Sequence, residues 1–584
     1  MNILGISCYY HDSAAALLQD GILVAAAQEE RFSRIKHDPS FPQHAIKFCL
    51  EHAGIAPSDL DYVVLHEKPM PKLERFLTSA LRYWPNAWSL FQDGTIGWMK
   101  QKLWIRAKVS EELGIDREKI LFVEHHMAHA ASAFFCSPFS EAAVLTVDGV
   151  GEWATATMGT ATSSPCAINI SSEMRFPDSL GLLYSTFTAF LGFEVNEGEY
   201  KVMGMAPYGE PRYLREISQV AKFKDDGSLS LDLSYFSFHH SSQRSFTDRF
   251  TDLFGPPRDP NLEFVTGRAG TGNGSKELEQ LNQHYADIAA SVQKFTEDGL
   301  LKMAIHLQRT TGAKNCCFAG GVALNSVANS CILQSSGFEN VFIQPAAGDS
   351  GGALGAAQYA WHVLLEKPRS FTLEHAFWGK AYSNEEISSA LTGTGAELVE
   401  NEDELIQRAV QDLVAGKVIG WFQGRFEWGP RSLGNRSIIA DPRSEEMKGI
   451  VNSKIKFREP FRPFAPVVPE ECVETMFDSS HDLKGQYPAR FMLLVMPWKD
   501  DVGGKVPGVN HLGTGRLQSL RREWNPRYYS LLENFGEATG IPVLMNTSFN
   551  VRGEPIVASP ADALCTFRKS GLDVLYIGDY RLGK

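Results

Sequence analysis

The chain has no excess of basic residues. Its 584 residues carry 56 Lys and Arg against 69 Asp and Glu, which gives a net charge of −13. We expect no nucleic-acid partner, because general binding to phosphate backbones relies on a basic excess. No apolar run reaches the roughly eighteen residues of a membrane span, and the first residues do not form a basic and apolar leader. The sequence therefore predicts a cytoplasmic protein without a membrane partner.

Paired cysteines and standard nucleotide-binding loops are missing as well. The nine Cys include no C-x-x-C pair, which argues against a disulfide scaffold and for a reducing compartment. Neither a Walker A loop nor a G-x-G-x-x-G fingerprint is present, and no Ser-His-Asp order or catalytic Cys motif stands out. The length predicts at least two domains. Nothing in the sequence predicts the oligomeric state.

What is present is a histidine-rich stretch that follows an apolar segment and opens an alanine-rich one. His125 and His129 are four residues apart, so on the predicted helix they lie on one face. Asp148 and Asp349 each come at the end of an apolar segment or the start of a helix. Taken alone, the His pair is more often a capped or half-buried helix face. Two imidazoles and two carboxylates together predict a metal site between two lobes.

The residue after His125 is His126, not the Glu with which a zinc protease activates water. A metal here is therefore expected to hold a ligand rather than to generate hydroxide. Mixed imidazole and carboxylate ligands favour iron or manganese over structural zinc, with zinc left open.

Two similar β-hairpins organise the first half. Apolar runs at 14–18 and 22–25 are joined through Asp20-Gly21, and the pattern recurs around 143–147 and 153–158. This predicts the α/β fold, with duplicated lobes, of the superfamily that groups actin, heat-shock chaperones and sugar kinases. A long helix is expected over about 277–311. The stretch from Phe238 to Ser275 is expected to be an insertion or a substrate lid, with His239 and His240 in solvent.

The second half carries a basic cluster. Residues 425–462 contain nine Lys or Arg and five Asp or Glu, a local excess of four in an acidic protein. Arginine forks suit phosphate oxygens, so the cluster predicts a phosphate pocket; the alternative is a solvated basic face. Lys454, Lys456 and Arg458 are expected to converge on one side of a strand.

These segments match one family in order along nearly the whole chain. The matching segments are 11–14, 34–38, 125–130, 148–149, 198–204, 320–325, 348–349, 428–431, 458–464 and 546–550. The chain resembles the O-carbamoyltransferases of the nodulation-factor, cephamycin and tobramycin type. One departure is visible: the family's His-Val-Asp-Gly-Thr-Ala-Arg is one residue shorter here, at 511–516, and lacks the Asp. Arg516 is for that reason a weaker candidate than Arg431.

The resemblance implies two domains, at 1–370 and 371–584. The first would be an actin-like carbamoyl-transfer domain that holds Fe(II), and the second a YrdC-like domain that makes carbamoyl-adenylate from carbamoyl phosphate and ATP. The carbamoyl group would then pass to a hydroxyl of a small molecule such as a sugar, an antibiotic or another natural product. Mg²⁺ is a possible companion of ATP.

The implied residues fall into three sets. His11 would be catalytic, with metal ligands His125, His129, Asp148 and Asp349. The nucleotide or carbamoyl-adenylate would meet Lys201, Gly204, Gly320, Gly321 and Asn325. Carbamoyl phosphate and ATP would meet Arg431, Arg436, Lys456, Arg458, Arg462, Arg516, Asn546, Thr547 and Ser548.

Two rival hypotheses stay open. A sugar or acid kinase of the same superfamily would release ADP rather than AMP. A nucleotide-binding regulatory or chaperone-like module would bind ATP without carbamoyl transfer. The acceptor alcohol has no readable code in the sequence.

Overall fold

The computed structural model describes residues 1–100, 102–265 and 275–584. The predicted insertion therefore lies partly outside the described residues, at 266–274, and its role as a lid stays a prediction. Among the described residues, no helix combines the length and the apolar character needed to cross a bilayer.

The first sheet has five strands. They are β1 (Asn2–Ser7), β2 (Ala14–Gln19), β3 (Ile22–Gln28), β4 (Tyr62–Leu65) and β5 (Ile120–Phe122), in the order β3-β2-β1-β4-β5. Strands β1 to β3 are antiparallel, whereas β4 and β5 run parallel to β1. The predicted hairpin turn is present: Asp20 and Gly21 both have positive φ, as a tight two-residue hairpin turn requires.

The second sheet repeats the first. Its strands are β6 (Glu141–Val147), β7 (Ala154–Ser163), β8 (Cys166–Arg175), β11 (Asn315–Ala319) and β12 (Asn340–Phe342). Between β8 and β11 the chain forms a separate two-stranded sheet of β9 (Ala221–Phe223) and β10 (Leu229–Leu231). The order β12-β11-β6-β7-β8 and the strand directions match those of the first sheet. The α/β class and the duplicated lobes predicted from the hairpins are confirmed.

Thirteen α-helices accompany these sheets within the described residues. They are α1 (Glu30–Ser33), α2 (Gln43–Ala53), α3 (Pro69–Arg82), α4 (Trp88–Lys100), α5 (Ile105–Leu113), α6 (His125–Phe134), α7 (Leu180–Phe190), α8 (Glu199–Met205), α9 (Leu214–Val220), α10 (Asp248–Phe254), α11 (Lys276–Thr311), α12 (Ser326–Ser335) and α13 (Asp349–Tyr359). The predicted long helix is α11.

Helices α6 and α13 pack unusually close together, because small residues line their contact. A Cβ on Gly355 would lie 1.8 Å from the carbonyl oxygen of Ala128, a distance that no side chain tolerates. On its other side, α13 meets β1, where a Cβ on Gly5 would lie 1.9 Å from the Ala353 carbonyl oxygen. The glycines and alanines of α13 thus let one helix sit between the two lobes and bring Asp349, its first residue, to α6.

The remaining chain builds a mixed nine-stranded sheet in the order β13-β21-β20-β14-β15-β19-β16-β18-β17. Its strands are β13 (Glu397–Leu398), β14 (Ile419–Phe422), β15 (Arg436–Ala440), β16 (Ala465–Pro469), β17 (Leu494–Pro497), β18 (Thr514–Leu520), β19 (Leu544–Ser548), β20 (Val574–Ile577) and β21 (Tyr580–Gly583). Its helices are α14 (Asn384–Leu391), α15 (Glu402–Val414), α16 (Glu446–Ile450), α17 (Val473–Met476), α18 (Tyr487–Arg490), α19 (Asp500–Gly503), α20 (Pro526–Thr539) and α21 (Pro560–Lys569).

One hydrophobic core extends from Ile3 in β1 to Leu582 in β21, so apolar packing joins the two halves. The boundary at 370/371 stays a prediction.

Two local expectations were wrong. Residues 451–456 form a π-helical turn that continues α16, not a strand, so Lys454 is exposed while Lys456 is buried. His239, expected in solvent, is 4% exposed and stacks edge-on against Tyr83 at 4.4 Å between ring centroids.

Candidate functional site

The predicted metal-binding residues meet where the two lobes face each other. Helix α6 begins at His125, whose backbone N–H donates to the Glu152 carboxylate at 3.1 Å. Asp148 directly follows β6, and Asp349 opens α13. His125, Asp148 and Asp349 thus come from the end of a strand or the start of a helix, as the sequence indicated, and His129 lies one turn further along α6.

We call His125, His129, Asp148 and Asp349 the imidazole–carboxylate centre. The Nε2 atoms of His125 and His129 lie 2.9 and 3.1 Å from Asp148 Oδ2, and both lie 3.6 Å from Asp349 Oδ1. The two Nε2 atoms are 3.1 Å apart. One ligand atom from each residue lies within 4.8 Å of all the others, which is the arrangement of a four-ligand cation site.

The electrostatics of this centre favour a cation. Burial lowers the pKa of His129, but hydrogen bonds to Asp148 and Asp349 outweigh it and raise that pKa to about 9. Burial raises the pKa of Asp148, yet its bonds to both imidazoles hold it well below the usual range. Asp349 Oδ2 is buried and accepts no hydrogen bond from the described residues. Two ionised carboxylates and two imidazole nitrogens that converge in a largely buried site fit a divalent metal.

His11 stands at the edge of the centre. Its Nδ1 lies 3.0 Å from Asp12 Oδ2 and its Nε2 lies 3.7 Å from Asp349 Oδ2. Asp12 also bonds His37 Nδ1, at 2.7 Å, and so orients both rings. Burial lowers the pKa of His11, but Asp349 and Asp12 raise it to about 9. At neutral pH these residues alone therefore favour a protonated His11, and a divalent cation would offset the carboxylate charge and move this pKa back down.

Sequence reasoning missed three residues at the centre. Glu152 holds the start of α6 through His125, as described, and also accepts the Lys68 backbone N–H at 2.8 Å. His66 follows β4, and its ring lies 5.4 Å from that of His125. Burial lowers the pKa of His66 to about 4, which keeps it neutral. The position of His66 at the end of β4, a strand parallel to β1, was the available signal. The signal for Glu152 was its location in the turn between β6 and β7, and the signal for Asp12 was its place in the 11–14 motif.

The glycine-rich segment after β11 supports the centre. The Gly321 N–H donates to Asp148 Oδ1 at 3.2 Å and so orients that ligand. Gly320 has φ +96°, and a Cβ there would lie 2.2 Å from the Val147 carbonyl oxygen. Asn325 caps α12, accepting from the Ala328 N–H at 3.2 Å, and its amide also pairs with Gln293.

A cavity lies between the two halves of the chain, apart from the imidazole–carboxylate centre. It encloses about 230 Å³. Its charged lining consists of Arg431, Arg458, Arg462 and Arg516; we call it the arginine cavity. Thr547 and Ser548 line it too, from the end of β19. The first half contributes Tyr200, Met203, Gly204, Pro207, Ser326 and Val327.

The positive charge of this cavity is mostly uncompensated. Among the described residues, the Nε atoms of Arg431 and Arg516 are buried without a hydrogen-bond partner. Burial lowers the pKa of Arg431 to about 10. Glu459 is the nearby carboxylate, 3.7 Å from Arg462 and 3.2 Å from Lys201. Guanidinium groups held together without matching carboxylates form an anion site, suited to phosphate oxygens.

Three predicted ligands lie beside the cavity instead of lining it. Arg436 is fully buried and donates to the carbonyl oxygens of Asn435 at 3.0 Å and of Gly424 at 3.1 Å, so its role is to hold its own loop. Lys456 donates to the Ser548 carbonyl oxygen at 2.7 Å. Asn546 donates to Gln518 Oε1 at 2.8 Å. These three groups hold the wall of the cavity in place. Arg516, which the shortened motif made a weaker candidate than Arg431, lines the cavity just as Arg431 does.

Family models match most of the chain. A model described as "Carbamoyltransferase N-terminus" covers residues 2–358, and "Carbamoyltransferase C-terminus" covers residues 410–584. An uncharacterized protein of Synechocystis, sll1178, is 42% identical over 100% of this chain and 97% of its own length. Nodulation protein NolNO of Sinorhizobium fredii is 36% identical over 99% of this chain and 79% of its own length.

Among solved structures, component A of (R)-2-hydroxyglutaryl-CoA dehydratase from Acidaminococcus fermentans aligns with 62% of this chain and 97% of its own. The identity is 14% and the TM-score 0.31, too low to carry a functional conclusion. The family models and the relatives together confirm the resemblance read from the sequence: the chain belongs to the carbamoyltransferase family and is an enzyme that transfers a carbamoyl group.

Proposed function

We propose that this enzyme is an ATP-dependent O-carbamoyltransferase with two reaction sites. The arginine cavity forms carbamoyl-adenylate, and the imidazole–carboxylate centre transfers the carbamoyl group to a small-molecule hydroxyl. The domains are those expected from the sequence, 1–370 for transfer and 371–584 for activation, in a cytoplasmic protein. The observation that carries the proposal is the pairing of a cation site with an uncompensated anion site in one carbamoyltransferase chain.

The activation step needs a site for several phosphate oxygens. Water cleaves carbamoyl phosphate into carbamate and inorganic phosphate, and an oxygen of that carbamate then bonds to the α-phosphorus of ATP as pyrophosphate leaves. Arg431, Arg458, Arg462 and Arg516 supply the donors for this charge, and Thr547 and Ser548 add hydroxyls. Burial of the guanidinium groups strengthens such contacts, because less water is present to screen them.

The transfer step needs a base and a site for the leaving group. The acceptor oxygen bonds to the carbamoyl carbon as AMP leaves, and the hydroxyl proton passes to His11, whose ring Asp12 orients. A divalent metal, when bound, would be held by the four residues of the centre and would supply electrostatic stabilisation for the departing phosphate. His11 accepts the proton only when neutral, and a cation held by the centre would offset the charge of Asp349 that raises the pKa of His11.

Fe(II) is the metal we propose, since two imidazoles and two carboxylates suit iron or manganese. Metal analysis of protein purified without chelators or added metal tests this; zinc at full occupancy would contradict it. Mg²⁺ enters with ATP at the activation site.

The function is tested with labelled carbamoyl phosphate, ATP and a panel of polyols and sugars. We expect pyrophosphate and AMP as products, with label in an acid-stable O-carbamate. Release of ADP with no need for carbamoyl phosphate would instead identify the kinase alternative. ATP binding without turnover would identify the regulatory alternative.

The matched control omits the alcohol. Carbamoyl-phosphate-dependent pyrophosphate release should persist without it, because activation precedes transfer. Pyrophosphate release that strictly requires the alcohol would contradict a separate activation step.

A further inference from the structure

A group of charged side chains near His11 has no part in the reaction proposed above. Lys72 and Arg75 are three residues apart on α3, so they lie on one face of that helix. Lys102 follows α4, and Glu67 follows β4. We call these four residues the lysine–arginine cluster. The side chains of Lys72, Lys102 and Glu67 are only 9, 19 and 12% exposed, so their charges need partners or a ligand.

The cluster holds three cations and one carboxylate. The Glu67 carboxylate lies 2.5 Å from Lys72 Nζ and 4.0 Å from Lys102 Nζ. Burial raises the pKa of Glu67, but the two lysines outweigh this effect and lower that pKa to about 2. Burial and the neighbouring Lys72 lower the pKa of Lys102 to about 8. Cations crowded together in this way favour the binding of a further anion.

Arg75 is the cation that lacks a polar partner. Among the described residues, its buried Nε atom has no hydrogen-bond partner and its guanidinium forms no ion pair. Its Cζ atom lies 5.1 Å from the ring centroid of Phe176. Glu152 is within electrostatic range, but its oxygens already accept the backbone N–H groups of Lys68 and His125. A guanidinium stacked on a ring still presents its N–H groups edge-on to an anion.

Tyr10 connects the cluster to the transfer site. The ring centroids of Tyr10 and His11 are 4.5 Å apart, and Lys72 Nζ lies 4.8 Å from the centroid of Tyr10. Tyr10 is 40% exposed, so a molecule from solution can reach this ring. A small molecule whose hydroxyl meets His11 therefore has the cations of the cluster close to its other groups.

We propose that the lysine–arginine cluster binds an anionic group of the acceptor alcohol, a carboxylate or a phosphate ester, with Arg75 as the main donor. This inference rests on the proposed function, because it assigns a second contact to the acceptor of that reaction. The proposed transfer directs the AMP phosphate to the imidazole–carboxylate centre, which leaves the cluster for the acceptor. The acceptor class is then a sugar acid, a hydroxy acid or a sugar phosphate, and the cluster repels a cationic amino sugar.

Protection of arginine from phenylglyoxal tests the site without turnover. The full chain is treated with the reagent in sodium chloride, glucuronate, glucose 6-phosphate or glucose, all at equal ionic strength, and modified arginines are located by peptide mass analysis. We expect an anionic probe to slow the modification of Arg75 by about fivefold or more, while glucose has no effect. The two anions distinguish a carboxylate site from a phosphate site. Arg82, exposed on the same helix, is the internal control and should react equally in every sample.

Turnover tests the same contact through a pair of acceptors. Arg75→Gln should lower kcat/KM for glucuronate or glucose 6-phosphate at least about tenfold, mainly by raising KM, because a charge-assisted contact is lost. The value for glucose should stay within about twofold. Arg75→Lys keeps the charge and should retain more activity than Arg75→Gln. Arg82→Gln is the matched control and should change neither acceptor.

Each outcome decides. Equal modification of Arg75 with and without both anions overturns the proposal, and so does an Arg75 that the reagent cannot reach even in chloride. An equal loss for charged and neutral acceptors in Arg75→Gln would make Arg75 structural and would also overturn it. Protection without any carbamoyl transfer would uphold the anion site and contradict the proposed function. Transfer to neutral alcohols without protection would do the reverse.

Discussion

The imidazole–carboxylate centre and the arginine cavity are opposite in charge and differ in how that charge is balanced. In the centre, each carboxylate already faces imidazole nitrogens at 2.9 to 3.6 Å, so the ligands hold one another in place. In the cavity, Arg462 alone of the four arginines forms an ion pair among the described residues, with Glu459 at 3.7 Å, and the Nε atoms of Arg431 and Arg516 have no partner there. The first is organised before a ligand arrives; the second needs a polyanion to offset its charge.

The comparison is tested most strongly by His125→Ala. Loss of one of the two imidazoles should lower the rate of alcohol carbamoylation by at least about a thousandfold, since the cation site loses a ligand. Pyrophosphate release should stay within about twofold, because the arginine cavity is untouched. The control is His240→Ala, which removes a histidine outside the centre. Loss of pyrophosphate release in a folded variant would show that the two sites are not separate.

Arg431→Ala probes the other region. We expect pyrophosphate release to fall by about a hundredfold or more, because a buried donor to phosphate is lost. Metal content, measured by elemental analysis, should stay as in wild type. Normal product formation from carbamoyl phosphate would contradict the role of the cavity.

Arg436→Ala is the matched control, because it removes a buried arginine that lies outside that cavity. Its guanidinium bonds the carbonyl oxygens of its own loop and stacks 3.6 Å from the Phe422 ring centroid. We expect a loss of stability of about 3 kcal/mol, read as a lower midpoint of denaturant unfolding, because buried carbonyl groups lose their donors. Unchanged stability with lost activity would make Arg436 a ligand after all.

Gly321→Ala tests how rigidly the centre is held. A Cβ there would lie 2.9 Å from Asp148 Oδ1, so the ligand must shift. Metal affinity should fall by about tenfold, the effect of disturbing a group that orients a ligand. Gly449→Ala, with open space around its Cβ, is the control. Equal metal affinity for both variants would mean that Asp148 is not fixed by this segment.

The smallest expected effect concerns acid stability at the junction between the halves. His511 lies against Gly204, Nε2 to carbonyl oxygen 3.3 Å, and burial lowers its pKa to about 3. Below pH 6.5 the unfolded chain binds a proton that the folded chain does not, so stability falls as the pH drops from 6.5 towards 3. His511→Gln should flatten this profile by about 1 kcal/mol between pH 6.5 and 5.5. Unfolding measured with a chelator present separates this from metal loss, and identical profiles would contradict it.

The sequence predicted the centre better than the cavity, for a physical reason. His125, Asp148 and Asp349 stand at strand ends or helix starts, which parallel strands bring together, and His129 follows His125 at the spacing of one helical turn. Three of the four arginines, Arg431, Arg458 and Arg462, come from loops, so their placement depends on tertiary contacts; Arg516 lies in β18. Lys456 shows this: alternation predicted a strand face, but its segment continues a helix, and Lys456 turns inward to the Ser548 carbonyl.

The shared wall of the arginine cavity limits how the enzyme can be taken apart. Six of its lining residues, from Tyr200 to Val327, precede the predicted boundary at 370. A chain severed there would yield a rear fragment whose basic face opens to water, where guanidinium contacts to phosphate weaken several-fold. Reconstitution from separate fragments would therefore require the front piece as a structural partner of activation, beyond its part in transfer.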